Sequence, residues 1–318
     1  MKTAVLFLVF NRPDTTVRVF ETIRQARPPR LYVAADGPRK NRTDENEKCE
    51  KTRSIIKQID WNCEVKTLFR NENLGCGKAV SEAITWFFDQ EEEGIILEDD
   101  VLPHSDFFPY CEELLEKYRN DYRIQLITGR NAFFSPIITS ESYYFSGLFH
   151  IWGWATWKRV WVDYKFDLSF FPIDEFYSKA SYYGFKPNII RYWERIFELM
   201  KCHSIDTWDY QLLFSQWYHQ RYSIIPISNL TQNIGFGEGA THTFIGDEKN
   251  ERHEVSSIMP LIHPLSVTLN TELDTKLASE ANWYMSYCKL MILKIKNVLK
   301  PVYIFFFQKR YKQDNRHI

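Results

Sequence analysis

The tightest constraint in the sequence is the stretch Gly94-Ile95-Ile96-Leu97-Glu98-Asp99-Asp100-Val101-Leu102-Pro103, where an apolar run leads straight into three carboxylates. An unbroken run of branched apolar residues reads as the end of a strand buried on both faces, and Pro103 marks the turn beyond it. Three adjacent acids at a strand tip repel one another, so folding alone gives no reason to gather them. A divalent cation does: hard carboxylate oxygens suit Mg²⁺ or Mn²⁺, and such an ion can hold a diphosphate as well. A solvated acidic turn is the plainer alternative. What favours the ion is the buried strand before the triplet and the polar groups that accompany it elsewhere in the chain.

The pattern of apolar run and polar tip recurs upstream. Residues 4–10 form a continuous apolar run, as expected of a central parallel strand, and end in Asn11-Arg12-Pro13-Asp14. Asp14 or Thr15 can cap a helix to about residue 25. A second strand, 31–35, ends in Asp36-Gly37-Pro38. Residues 39–50 are charged and read as a loop or helix start, followed by a helix at 51–58 and a third strand at 64–69. The loop Arg70-Asn71-Glu72-Asn73-Leu74-Gly75-Cys76-Gly77 then opens a helix over 78–90. Strands alternate with helices, and every polar feature sits at a strand's C-terminal end. This is the pattern of a doubly wound α/β sheet, which binds ligands outside those ends. Asp36, Asn73 and Glu98, Asp99 and Asp100 are therefore expected at one rim.

A helix over 105–118 and a strand at 124–128 continue the series. From Asn131 the pattern changes: a short strand at 143–146, the aromatic run His150-Ile151-Trp152-Gly153-Trp154-Ala155-Thr156-Trp157, helices near 174–183, 188–202 and 206–220, and a last strand at 222–226. The glycine-rich residues 235–246 suggest a mobile lid. No internal repeat is present. The expected organisation is an α/β-patterned half (1–130), an aromatic-rich second half of the same domain (131–280) and a tail (281–318).

With 318 residues, 44% hydrophobic and 25% charged, the chain can bury a substantial core. A net charge of −1 offers no global field for nucleic acid. The tail differs: from residue 281 on, eight Lys/Arg face one Asp. Residues 289–310 read as a basic amphipathic segment lying on an anionic membrane, with a helix packed on the domain or a dimer contact as the alternative. The six cysteines form no Cys-x-x-Cys motif and read as reduced thiols. The first apolar run is too short for a signal peptide or membrane span. A cytoplasmic protein, peripheral on the membrane, is the expectation.

Taken together these motifs resemble the GT-A glycosyltransferases, in particular the N-acetylglucosaminyltransferase I family and bacterial family-2-like sugar transferases. The resemblance runs in motif order over roughly residues 3–245. It implies that Asn11-Arg12 lies beside the nucleotide, that Asp36 of Asp36-Gly37 reaches the uracil, and that Glu98 and Asp99 face ribose and donor sugar. It implies that Asp100 holds the metal, Mn²⁺ or Mg²⁺. Trp152-Gly153-Trp154 looks like the acceptor-side segment, Asp209 of Trp208-Asp209 like the catalytic base, and Phe236-Gly237…Thr241-His242 like the closing lid, whose His is a metal ligand in some related enzymes. The family's His in the third-strand loop has no match; Arg70 or Asn73 stands there. The implied activity is inverting transfer of a hexose from a UDP-sugar to a hydroxyl of a glycan or lipid-linked saccharide. Two alternatives stay open: a sugar nucleotidyltransferase, whose usual glycine-rich loop is missing at Asn11-Arg12-Pro13-Asp14, and a non-catalytic carbohydrate-binding or membrane-associated protein.

Overall fold

The computed structural model describes residues 1–42, 44–133, 137–235 and 255–280. Its first half runs β1 (Ala4–Val9), α1 (Pro13–Ala26), β2 (Arg30–Ala35), α2 (Glu45–Ser54) with a 3₁₀ turn at Ile55–Gln58, β3 (Glu64–Phe69), α3 (Cys76–Phe88), β4 (Glu93–Glu98), β5 (Val101–Pro103), α4 (Phe107–Lys117) and β6 (Ile124–Thr128). The second half contains β7 (Tyr143–Ser146), β8 (Trp154–Trp157), α5 (Lys158–Trp161), α6 (Ile173–Ser181), α7 (Pro187–Lys201), α8 (Asp209–Tyr218), β9 (Tyr222–Pro226), β10 (Thr231–Asn233) and α9 (Thr271–Glu280).

Among the described residues, eight strands form one sheet in the order β3-β2-β1-β4-β8-β6-β9-β7, and β5 and β10 form a separate two-stranded ladder. The β3-β2-β1-β4 portion is parallel. β8 enters antiparallel between β4 and β6, β9 follows β6 in parallel, and β7 closes the edge antiparallel. The result is a mixed α/β, Rossmann-like architecture. Strands from residues 1–130 and 131–280 share this sheet, so no gap in the hydrogen-bonded ladder separates the two halves.

The absence of alternation in β1 has a direct cause. Ala4, Leu6 and Leu8 pack into the core on one face, with Ala83, Ile84 and Phe87 of α3. Val5, Phe7 and Val9 pack on the other, with Val19, Phe20 and Ile23 of α1 and Leu114 of α4. Each fully buried Val, Leu or Phe is worth roughly 1.5–3 kcal/mol relative to exposure, so a strand covered on both sides is apolar at every position.

Several local expectations are corrected. Neither Asp14 nor Thr15 caps α1; Pro13 occupies its first turn, and the hydroxyls of Thr15 and Thr16 donate to the Arg12 carbonyl at 3.3 and 2.6 Å. The charged stretch does start a helix, at Glu45, whose buried carboxylate is clamped by Arg39, but the helix expected over 51–58 ends at Ser54 and passes into the 3₁₀ turn. The strand at 222–226 is not the last, because β10 follows it. The lid residues 236–246, including His242, and the basic tail 281–318 lie outside the described residues. Among the described residues no helix is long and apolar enough to cross a membrane.

Candidate functional site

Parallel registry places the strand ends level: Leu8 of β1 pairs with Glu98 of β4, and Val9 with Ala35 of β2. The residues just beyond these ends, Phe10, Arg12, Asp36, Asn73 and Glu98, Asp99 and Asp100, line one cleft of about 620 Å³. Its other side includes Trp152, Asp206 and Asp209. The structure thus brings together most of the residues expected at the rim. Asn11 does not line the cleft, although its neighbours Phe10 and Arg12 do.

Asp36 is the hub of one end. Its carboxylate accepts the Gly37 N–H at 2.9 Å, the Asn73 side-chain amide at 2.9 Å and the Leu74 N–H at 3.1 Å, and Asn73 also donates to the Gly37 carbonyl at 3.0 Å. Burial raises the pKa of Asp36 against the pull of the Leu74 and Gly37 N–H groups. Asn73 thus holds Asp36 in place, tying the loop after β3 to the tip of β2.

The three acids after β4 have different surroundings. Asp99 is 8% exposed and accepts the Phe10 N–H at 3.0 Å, linking β4 to β1. Asp100 accepts from Arg12 Nη1 at 2.6 Å. Glu98 keeps a buried Oε1 with no hydrogen-bond partner. Burial first, then the charges of Asp100, Asp99 and Asp209, push Glu98 well above the usual carboxylate range. Asp99 is raised by burial and by Asp100, with Arg12 opposing. β10 closes this end: the Ile234 N–H donates to the Asp100 carbonyl at 2.7 Å. A Cβ at Gly235 would lie 2.1 Å from Asp100 Oδ2 and 2.6 Å from Arg12 Nη1, so only glycine lets the chain pass there.

No ready-made cage of three or more His, Cys, Asp or Glu side chains is present among the described residues. The donor set still fits a hard divalent cation. Mg²⁺ is commonly held by one or two carboxylates plus substrate phosphates, and Glu98 and Asp100 supply that number. The orphaned Glu98 oxygen and the mutual repulsion of the acids are what a cation would relieve.

Asp209 opens α8 and accepts the Thr207 hydroxyl. Its charge reaches Glu98 and Cys76, whose thiol is pushed up to about 12 chiefly by burial. Asp206, three residues earlier, accepts the Gly77 N–H at 3.0 Å, in the first turn of α3. It caps a helix 129 residues away in sequence. Asp206→Ala is therefore expected to lower stability by about 1 kcal/mol, the usual value of an N-terminal cap. Urea denaturation checks this, and an unchanged midpoint would contradict the capping role.

The aromatic segment divides. Trp152 lines the cleft. Gly153 has φ +72°, and a Cβ there would lie 2.7 Å from Thr231 Cγ2, so this sharp turn needs glycine. Trp154, expected on the acceptor side, is 1% exposed within β8 and stacks on Trp208 with ring centres 5.6 Å apart. It is a core residue behind the cleft. Sequence patterning also left out Arg39, Tyr192 and Asn233, which line the cleft without any motif to mark them.

No family model matches the chain, and no curated protein matches it. Among solved structures it is similar to HddC from Yersinia pseudotuberculosis, at TM-score 0.32 and 14% identity over 51% of this chain and 80% of that one. HddC complexed with GMP-PN gives TM-score 0.31 and 16% identity over 51% and 80% of the two chains. TarS 1-349 from S. aureus gives TM-score 0.33 and 13% identity over 46% of this chain and 42% of that one. Likenesses this remote say nothing about the reaction or the substrate.

Proposed function

We propose that the protein is a metal-dependent, inverting glycosyltransferase that moves a hexose from a UDP-sugar to a hydroxyl of a glycan or lipid-linked saccharide. The observation that carries this reading is the meeting, in one cleft, of the acidic tip of β4 with the Asp36–Asn73 platform on one side and Asp209 on the other. The GT-A-like order of the motifs agrees with it. Asp36, fixed by Asn73, offers its cleft-facing edge to the base. Glu98 and Asp100 would hold Mn²⁺ or Mg²⁺, which when bound neutralises charge on the leaving diphosphate. Arg12 supplies a permanent positive charge beside the same group. Asp209 takes the proton of the acceptor hydroxyl as it attacks the anomeric carbon. The basic segment 289–310 would keep the protein on an anionic membrane, near a lipid-linked acceptor.

A donor-binding transferase exposes its bound sugar to water and hydrolyses it slowly. UDP release from a panel of UDP-hexoses is therefore expected in the presence of Mn²⁺ and is expected to stop in excess EDTA. A carbohydrate-binding protein without activity releases no UDP. Failure of every nucleotide-sugar to release its nucleotide or to raise the melting temperature, with or without Mn²⁺, would reject the reading.

A further inference from the structure

Arg130 lies two residues beyond β6. β8 pairs Trp154 with both Ile96 of β4 and Thr128 of β6, so Thr128 is level with Ile96 and β4 and β6 run on towards the same end of the sheet. Arg130 thus follows β6 at the end of the sheet that carries the acidic triplet; it does not itself line the cleft but packs against Trp152, which does. It is two strands away, roughly 10 Å at ordinary strand spacing, on the side opposite Asp36 and Asn73.

Arg130 is 3% exposed, and its guanidinium lies over the Trp152 ring, 4.6 Å from the ring centre. The backbone there is set: the Arg130 N–H donates to the Thr128 hydroxyl at 3.0 Å, and the Trp152 carbonyl accepts from the Thr231 hydroxyl at 2.6 Å. Among the described residues no carboxylate forms an ion pair with Arg130 and no acceptor bonds its guanidinium. Burial alone lowers its pKa to about 10. Other arginines of this chain are answered: Arg30 by Glu91, Arg39 by Glu45, Arg221 by Asp163, and Arg159 by the carbonyls of Tyr118, Asp121 and Ile124. A desolvated guanidinium that meets only a ring is unfavourable, and the cation–π contact recovers part of the deficit. Its planar fork matches carboxylate and phosphate.

We propose that Arg130 and Trp152 form an anion-recognising acceptor subsite, in which the Trp152 ring backs the Arg130 guanidinium and the guanidinium pairs with a carboxylate or phosphate of the acceptor. This rests on the transferase reading for the word acceptor only; the anion site itself stands on the unanswered guanidinium. The acceptor is then an acidic saccharide or a phosphate-bearing one rather than a neutral glycan.

The test is calorimetric titration of the full chain with D-glucuronate, glycerol 3-phosphate and D-glucose at one ionic strength, for the wild type, Arg130→Met and Arg130→Lys. At least one anion is expected to bind tenfold or more tightly than glucose. Glucuronate preference identifies a carboxylate, and glycerol 3-phosphate preference a phosphate. Arg130→Met should remove the preference, and Arg130→Lys, which keeps the charge but loses the fork, should reduce it several-fold. Arg130→Met carries no buried charge and should melt no lower than the wild type; if it fails to fold, the wild-type comparison and Arg130→Lys still decide. Equal binding of all three probes by the wild type, or a preference retained in Arg130→Met, overturns the subsite. UDP release measured on the same wild-type sample separates the two claims. Anion preference without UDP release keeps the site and rejects the transferase, whereas UDP release without anion preference rejects only the site.

Discussion

Asp100→Ala is expected to abolish transfer and Mn²⁺-dependent UDP binding while the protein stays folded. Asp100 sits past the end of β4, outside the hydrophobic core, and its side chain meets Arg12 and the chain passing at Gly235. The Arg12–Asp100 pair is partly exposed, with side-chain exposures of 22% and 15%, so its loss should lower stability only modestly. The loss to the reaction is of another order. A divalent cation at a leaving diphosphate supplies several kcal/mol of charge stabilisation, which corresponds to roughly a thousandfold or more in rate. Without Asp100, the ion loses one of its two carboxylate donors, Glu98 alone remains, and Asp99 already accepts the Phe10 N–H. The measurements are UDP release and the melting temperature with UDP and Mn²⁺. A variant that keeps its UDP-plus-Mn²⁺ shift, or a wild type fully active in excess EDTA, would show that Asp100 holds no catalytic metal.

Asp209→Asn is expected to keep UDP-sugar binding and lower turnover by roughly 10²–10⁴-fold, the usual contribution of a positioned general base. The substitution keeps the volume and an oxygen for the Thr207 hydroxyl, but removes the group that accepts a proton. Asp209 stands in the first turn of α8, where the positive end of the helix dipole attracts negative charge. Asp206→Ala serves as the contrast, because Asp206 spends its carboxylate on the first turn of α3 and should change stability more than chemistry. Near-normal turnover in Asp209→Asn, with a large loss in Asp206→Ala, would reverse the two roles. Product whose anomeric configuration matches the donor's, read by NMR, would reject the inverting mechanism whatever the variants do.

The parallel half of the fold was legible in the chain because its signals are local. β1, β2 and β4 are apolar runs, and each rim residue, from Arg12 and Asp36 to Asn73 and the triplet, ends a strand or follows one within four residues. Once such strands lie parallel, level ends follow, and the cleft follows from the level ends. Tertiary structure decided what depends on pairing between distant segments. Nothing within four residues of Trp154 tells that β8 inserts between β4 and β6, which turns Trp154 from an acceptor-facing ring into core. β5 and β10 are three residues each, too short to carry a period, and exist because they pair with one another. Asp206 lies three residues before Asp209, yet its partner is the backbone of Gly77. Arg130 looked like one charged residue among many, and its significance lies in the lack, among the described residues, of a carboxylate to pair with it. Burial and pairing are properties of the surroundings, and for these residues the surroundings come from parts of the chain a hundred residues away or more, or from a strand pairing no local pattern announces.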